Sequence, residues 1–298
     1  MKKILALILA LSLTLGVCLA LSSCGSDNDT VTTAPADESQ TLSDSDEAST
    51  SDNNIPDASQ ASVPESQTVT AEDGTTEEAT TLLAVKAPVG GSVADIVTYY
   101  NTAVNNAKKY PGKVTIDRTQ GTVSSLEEIS IGLAKSIVEG VLPNDYPQHE
   151  AYSFTNGKAS NGKTAASFLP VDDKPYASNL TPAGVKSAVC TANGNGSKVV
   201  ITLVSESGND INFVPKHHAS CADTLALTQE DLDPLTINEC HITYTGMTLT
   251  AVIDEFGRVT SLTVSEPVTI EGKVAWGSLN LIEVKVLGTW KQEFKLSY

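Results

Sequence analysis

Apolar residues recur at helical spacing over residues 93–109, with polar residues between them. This pattern is typical of an amphipathic helix that packs on one side. Ser92 and Asp95 bracket the first turn, as in a capped helix start, and Pro111-Gly112 should end the helix. The apolar face consists of Val93, Ile96, Val97, Tyr100, Val104 and Ala107.

A second pair of elements follows. Lys113 to Gln120 alternates and is rich in β-branched residues, which predicts a strand. Ser124 or Ser125, with the acidic pair Glu127-Glu128 close behind, predicts the start of a second helix that ends before Pro143. The apolar face of that helix would comprise Leu126, Ile129, Leu133, Ile137 and Leu142.

From Ala151 onward the pattern is mostly that of β-strands. Met247 to Ile253 and Arg258 to Val264 flank Asp254-Glu255-Phe256-Gly257, which predicts a hairpin with Gly257 in a left-handed position. Further strands are predicted at 199–204, at 279–287 and at the C-terminus. Helices first and antiparallel strands afterwards predict an α+β domain, in which two N-terminal helices pack on one face of a curved antiparallel sheet.

The chain opens with an apolar run from Ile4 to Leu21, preceded by Lys2 and Lys3. Leu21-Ser22-Ser23-Cys24 closes the run, and no basic flank follows. This arrangement resembles the bacterial lipoprotein signal, in which cleavage before the cysteine makes Cys24 the lipidated N-terminus. Ordinary signal cleavage and an uncleaved anchor are the alternatives. The resemblance implies several acyl chains on Cys24, which would anchor the protein stably.

The net charge of −17 belongs mostly to the segment after Cys24. Residues 25–82 contain 14 Asp or Glu and no Lys or Arg, together with many Ser and Thr and no aromatic residue. Such a composition predicts a disordered tether. We therefore divide the chain into a signal peptide at 1–23, an acidic tether at 24–82 and a single domain at 83–298. The last has no basic stripe, which argues against nucleic-acid binding.

Several stretches resemble recurring segments of uncharacterised surface lipoproteins from Gram-positive gut bacteria. They are Ile96–Asn101, Ala177–Pro182 with Val185–Ala188, and Thr250–Asp254 with Gly257–Leu262. More distantly, the layout is similar to the lipoprotein-carrier (LolA-like) half-barrels, in which a curved sheet wraps helices and holds acyl chains. The resemblance implies a half-barrel-like sheet with a site for a hydrophobic ligand, but it carries over no binding residue.

Three cysteines remain after Cys18 in the signal peptide and Cys24: Cys190, Cys221 and Cys240. One disulfide plus one buried thiol is expected outside the cytoplasm, and we favour Cys190–Cys221 among the three pairings. His217-His218 with Cys221, and Cys240 with His241, supply ligand types that zinc prefers. Their spacing matches no known zinc motif, so we predict neither a metal nor a cofactor.

Two other groups of residues bear on possible chemistry. Ser160 and Lys163 match the S-x-x-K pattern of serine acylases, but the companion motifs are missing, so we interpret the match as chance. Trp276, Trp290, Phe294 and Tyr298 cluster near the C-terminus, where they would line a groove or fill the core. Core packing is favoured for Trp290 and Phe294.

These observations predict a non-catalytic lipoprotein on the extracytoplasmic face of the cell membrane. Its membrane contact is the lipid on Cys24, and its ligand is hydrophobic or lipid-like. A structural or interaction module that contacts another envelope protein is the alternative, and a cell-wall enzyme is a third hypothesis.

Overall fold

The structure is a computed structural model that describes residues 86–172, 174–225 and 228–298. Those ranges contain the helices α1 (Val93–Lys108) and α2 (Lys135–Val141). They also contain nine strands: β1 (Lys113–Ile129), β2 (Gln148–Thr155), β3 (Val185–Asn193), β4 (Gly196–Leu203), β5 (Glu206–Gly208), β6 (Thr236–Tyr244), β7 (Thr248–Ile253), β8 (Val259–Trp276) and β9 (Leu279–Ser297). The predicted signal peptide, the predicted tether and Cys24 lie outside the described residues.

The strands form one open antiparallel sheet in the order β2-β1-β9-β8-β7-β4-β3, which confirms the α+β class. The sheet branches at β8. Residues 259–265 of β8 pair with β7, whereas residues 268–275 pair with β6, which in turn pairs with β5. We call the part of the sheet that contains β7, β4, β3 and β2 the proximal half, and the part that contains β6 and β5 the distal half. The long strands β8 and β9 contribute residues to both halves.

The first helix is confirmed, together with its cap. The Ser92 side chain accepts a hydrogen bond from the Asp95 backbone amide, and the Asp95 carboxylate accepts from the Ser92 amide. Ile96, Val97, Tyr100, Val104 and Ala107 are buried, as the spacing predicts, whereas Val93 is exposed. They pack on the proximal half of the sheet, where Leu262 and Phe294 belong to the same cluster.

The second helix was predicted in the wrong place. β1 runs without interruption from Lys113 to Ile129 because its second part pairs with β9, from Val123↔Thr289 to Ile129↔Val284. A single 3₁₀ turn (Gly132–Ala134) and the seven-residue α2 follow, and they end before Pro143 as expected. Ala134 and Val138 pack against Val274 and Ile282 of the distal half.

The C-terminal hairpins are confirmed. β7 and β8 are joined through Asp254–Gly257, and Gly257 has a φ of 76°. The two predicted C-terminal strands are one continuous strand, β9, which is bordered by β1 and β8 along its length. Leu262 pairs with Phe294 and Val274 with Ile282, so the even-numbered residues of β8 and β9 share the face on which both helices pack.

Candidate functional site

An apolar cavity lies between the distal half of the sheet and the segments that cover it. Its volume is about 80 Å³. Apolar side chains of β6, β8 and β9 form its floor: Ile237, Ile242, Val268, Ile270, Val274, Val284 and Val286. The cover comes from α2, the residues just after it, and the 3₁₀ turn Gln229–Leu232 with its flank: Val138, Val141, Leu142, Pro143, Leu232 and Leu235.

Two glycines lie in the floor of this cavity. A Cβ at Gly272 would meet the backbone carbonyl of Glu239, so the close approach of β6 requires glycine there. A Cβ at Gly288 would meet only Ser124 Oγ, at 3.6 Å, which is an ordinary contact. The space above Gly288 is therefore open, and the missing side chain at this position leaves part of the cavity free.

Polar side chains separate the cavity from the core around α1. Thr122 of β1 pairs with Trp290 of β9, which pairs with Glu266 of β8, and Gln292 follows two residues after Trp290 on the same face. We call these four residues the polar row. Glu266 and Gln292 are 0% and 1% exposed, and Thr122 is also buried. Thr122 and Trp290 line the cavity and form its inner end, while Glu266 and Gln292 lie next to Trp290 in the polar row.

Three buried atoms of the polar row have no hydrogen-bond partner among the residues that the structure describes. They are Glu266 Oε2, Trp290 Nε1 and Gln292 Oε1, and we call them the orphan atoms. The other polar atoms of the two buried residues are bonded: Glu266 Oε1 lies 2.7 Å from His218 Nδ1, and Gln292 Nε2 donates to Gln120 and Asp223. Nearly all buried polar groups of proteins find a partner, so three orphan atoms on neighbouring residues make the polar row a candidate position for a bound polar group.

The Glu266 carboxylate belongs to a buried acid–histidine pair. His218 is 0% exposed, and its Nε2 lies 2.8 Å from the Val204 carbonyl oxygen and 3.9 Å from Glu206 Oε2. Burial lowers the pKa of His218, but the bonds to Glu266 and Val204 and both carboxylates outweigh it, so the net pKa is raised. Burial raises the pKa of Glu266, and His218 offsets this only in part. Because both pKa values are raised, the His218–Glu266 pair keeps its protons to a higher pH than the isolated side chains would.

The three cysteines occupy different environments. Cys190 and Cys221 are buried in the core around α1, whereas Cys240 is half-buried in β6 and lines the cavity. All three are free thiols, and burial raises the pKa of each. Cys221 Sγ donates weakly to the carbonyl oxygens of His217 and His218. The Cys190–Cys221 disulfide is not formed in this structure and stays a prediction.

The histidines of the two sequence clusters lie in different places. His218 is in the buried pair, and His217 packs so closely on Gly184 that a Cβ there would overlap its ring. His241 is exposed on the face of β6 opposite the cavity, where its Nδ1 lies 2.6 Å from Asn209 Oδ1. Over residues 86–298, apart from 173, 226 and 227, no group of three His, Cys, Asp or Glu residues is arranged to hold a metal ion.

Ser160 and Lys163 do not form a nucleophile and base. Both lie in the irregular segment after β2, and Lys163 Nζ donates to both oxygens of Glu150 at 3.2 Å. The same ammonium lies 4.5 Å from the centre of the Tyr152 ring. These contacts give Lys163 a structural role in joining its loop to β2.

The C-terminal aromatic residues divide between core and cavity. Phe294 is 1% exposed in the core around α1, as predicted, whereas Trp290, for which core packing was also favoured, is partly buried and lines the cavity. Trp276 is partly buried beside the cluster that contains α2, and the Tyr298 ring lies edge-on to Tyr110 at 4.7 Å. The structure thus brings one of the four predicted aromatic residues to the candidate site.

An open polar groove of about 870 Å³ lies on the opposite face of the distal half. Its charged side chains are mostly paired with each other: Lys285 lies 2.9 Å from Glu271, and Lys273 lies 2.7 Å from Glu239. Because both lysines that line the groove are engaged in these ion pairs, neither is free to bind an anionic ligand. The apolar cavity is the better candidate site.

The structure does not describe Cys24. In the part of the chain that it does describe, neither helix combines the length and the hydrophobicity needed to cross a bilayer.

No protein-family model, curated protein sequence or solved structure shows a significant match to this chain.

Proposed function

We propose that the protein is a lipid-anchored, non-catalytic binding protein of the extracytoplasmic membrane face, and that its ligand is hydrophobic. The apolar cavity between the distal half of the sheet and α2 carries this proposal. Ligand sites in proteins are typically enclosed, lined mainly by apolar side chains and supplied with a few polar groups. The cavity has this composition, with Thr122 and Trp290 of the polar row at one end.

The size of the cavity defines how a ligand would enter. A dry cavity of about 150 Å³ accepts benzene, so about 80 Å³ accommodates only a short apolar group unless the cover moves. The cover is thin: α2 has seven residues, and helices shorter than about 12 residues are marginal on their own. Local opening of such an element costs less than global unfolding. A longer ligand would therefore bind by displacing α2.

The arrangement of the sheet supports the proposed relationship to lipoprotein carriers. The sheet is open and antiparallel, and both helices pack on the same face, as in a half-barrel that holds acyl chains. We therefore propose a half-barrel-like architecture with the ligand on the helix side. Membership of a family of Gram-positive surface lipoproteins remains part of this proposal.

The cavity also favours ligand binding over a structural or interaction module. That alternative expects a solid core and an exposed aromatic patch. The distal half instead encloses a cavity, and Trp276 and Trp290 are both partly buried. The anchoring part of the proposal rests on the sequence alone, through Cys24 and the basic and apolar residues before it.

The test is a titration with the uncharged fluorescent probe N-phenyl-1-naphthylamine. The protein is the mature chain with Cys24→Ser, so that no attached lipid competes. Gly288→Val places three carbon atoms in the open space above the floor and should raise the Kd of the probe about tenfold or more. Thr289→Val changes the opposite face of the same strand and should leave the Kd unchanged. Absence of saturable binding, or equal Kd values for Gly288→Val and the parent, would refute the proposal.

A further inference from the structure

The three orphan atoms differ in the kind of hydrogen-bond partner that each lacks. Glu266 Oε2 and Gln292 Oε1 are acceptors that lack a hydrogen-bond donor, while the Trp290 Nε1–H group is a donor that lacks an acceptor. Directly paired residues on neighbouring strands have Cβ atoms about 5 Å apart, and same-face neighbours along a strand are about 7 Å apart. A small polar group next to Trp290 would therefore be within reach of all three residues.

The charges near the polar row narrow the kinds of head group that could bind the orphan atoms. Glu206 Oε2 lies 3.9 Å from His218, and Asp223 Oδ2 lies 3.3 Å from Gln292, so carboxylates surround the polar row. Arg118 lies further along β1 and donates to Glu150 at 2.8 Å and to the Phe168 carbonyl at 3.3 Å, while its buried Nε has no partner among the described residues. A carboxylate or phosphate head would be repelled by these carboxylates and would find a single donor in the polar row, Trp290 Nε1. An ammonium head would satisfy the acceptors but would leave Trp290 Nε1 without an acceptor.

A hydroxyl group both donates and accepts, so it matches the polar row. Two hydroxyl groups on neighbouring carbon atoms would donate to Glu266 Oε2 and Gln292 Oε1 and accept from Trp290 Nε1. We propose that the cavity binds an uncharged amphipathic molecule whose head carries hydroxyl groups, with its apolar part in the cavity and its head at the polar row. This inference rests on the proposed hydrophobic-ligand function and specifies the ligand class.

The experiment compares three probes that share a ten-carbon chain: 1-O-decylglycerol, decanoate and decylammonium. Their affinities for the mature chain with Cys24→Ser are measured by isothermal titration calorimetry. We expect decylglycerol to bind about tenfold or more tightly than either charged probe. If decanoate or decylammonium binds as tightly as decylglycerol, the head-group inference is wrong while the proposed function stands. If none of the three binds, the proposed function fails as well.

Two variants test whether the preference for decylglycerol depends on the orphan atoms. Trp290→Phe removes the indole donor and should reduce the preference for decylglycerol about tenfold, the typical effect of one buried hydrogen bond. Trp276→Phe, at the tryptophan that does not line the cavity, is the matched control and should keep the preference. Gln292→Met removes the amide acceptor at similar size and serves as a second variant if Trp290→Phe does not fold. An unchanged preference in Trp290→Phe or, failing that, in Gln292→Met would overturn the assignment.

Discussion

Glu266 and His218 are both fully buried in the middle of the described fold, where two charged groups are costly unless they are paired. Their 2.7 Å contact provides that pairing, and the backbone amides of His217 and His218 donate to Glu206 close by. The pair joins β8 to the segment between β5 and β6. It therefore holds the turn at His218–Ser220 against the sheet at the inner end of the cavity.

This pair should make stability depend on pH. The pKa of His218 in the folded state is above its ordinary value of 6.5, so its contribution is fully present below that value and is lost as the pH rises through the folded-state pKa. The raised pKa of Glu266 acts in the same direction. We expect the free energy of unfolding, measured with urea, to fall above pH 6.5 by up to about 1.4 kcal/mol per pH unit for one proton.

Glu266→Gln tests this dependence because it removes the partner charge while keeping a hydrogen-bonding side chain. The variant should be less stable than the parent at pH 6 and should show a flatter pH profile. His149→Gln changes an exposed histidine beside Asp117 and should leave the profile of the parent unchanged. A parent protein whose stability rises between pH 6.5 and 8.5 would contradict the assignment.

At the scale of elements, α1 is connected to an irregular segment by one buried side chain. Lys108, the last residue of α1, is 4% exposed. Its ammonium donates to the carbonyl oxygens of Leu169, Pro170, Val171 and Tyr176 at 2.6–3.3 Å. These bonds supply partners for carbonyl groups that no strand pairs, and they fix the segment against the end of the helix.

Lys108→Met keeps most of the apolar length of the side chain but removes the ammonium that donates to these carbonyl groups. Losing hydrogen bonds to a charged group should lower the free energy of unfolding by about 2–4 kcal/mol. Lys109→Met, at the exposed neighbour, should change it by less than about 0.5 kcal/mol. Urea denaturation of both variants gives the comparison. Equal free energies of unfolding would show that the hydrogen bonds between Lys108 and the carbonyl groups do not contribute to stability.

The elements predicted correctly are those whose local signals agree with their tertiary contacts. α1 has a capping box and a continuous apolar face, and the β7–β8 hairpin has Gly257 where a positive φ is needed. The second helix was wrong for a specific reason. A β-bulge between Leu126 and Glu128 adds one residue to β1, so Leu126 and Ile129 pair with Val286 and Val284 on one face. A three-residue spacing that looks helical arises here from a bulged strand.

The sequence predicted a hydrophobic ligand for the domain but assigned none of the residues that line the apolar cavity to ligand binding. Its main residues do have a sequence signal once the strands are known. Glu266 interrupts the inward-facing apolar series Leu262, Val264, Val268 on β8, and Gly288 interrupts a similar series on β9. The contact of His218 with Glu266 has no such signal, because 48 residues separate them and only the fold brings them together.

For the whole molecule, the proposed role requires that the domain stays at the membrane while its cavity remains accessible from outside. Anchoring through Cys24 would meet both needs, since several acyl chains hold a protein stably at a membrane. The 14 acidic residues between 25 and 82 then separate the anchor from the rest of the chain in sequence. Under this proposal, the location of the protein would depend on Cys24.

Metabolic labelling with an alkyne fatty acid tests the anchor in intact cells that express the full chain. The parent protein should incorporate the label and, after signal cleavage, lack residues 1–23. Cys24→Ala should abolish labelling, because no thiol remains at the position that follows Leu21-Ser22-Ser23. Cys18→Ala, at the other cysteine of the N-terminal region, should label like the parent. Equal labelling of Cys24→Ala and the parent would show that the lipid is attached elsewhere, whereas an unlabelled parent would refute lipid anchoring.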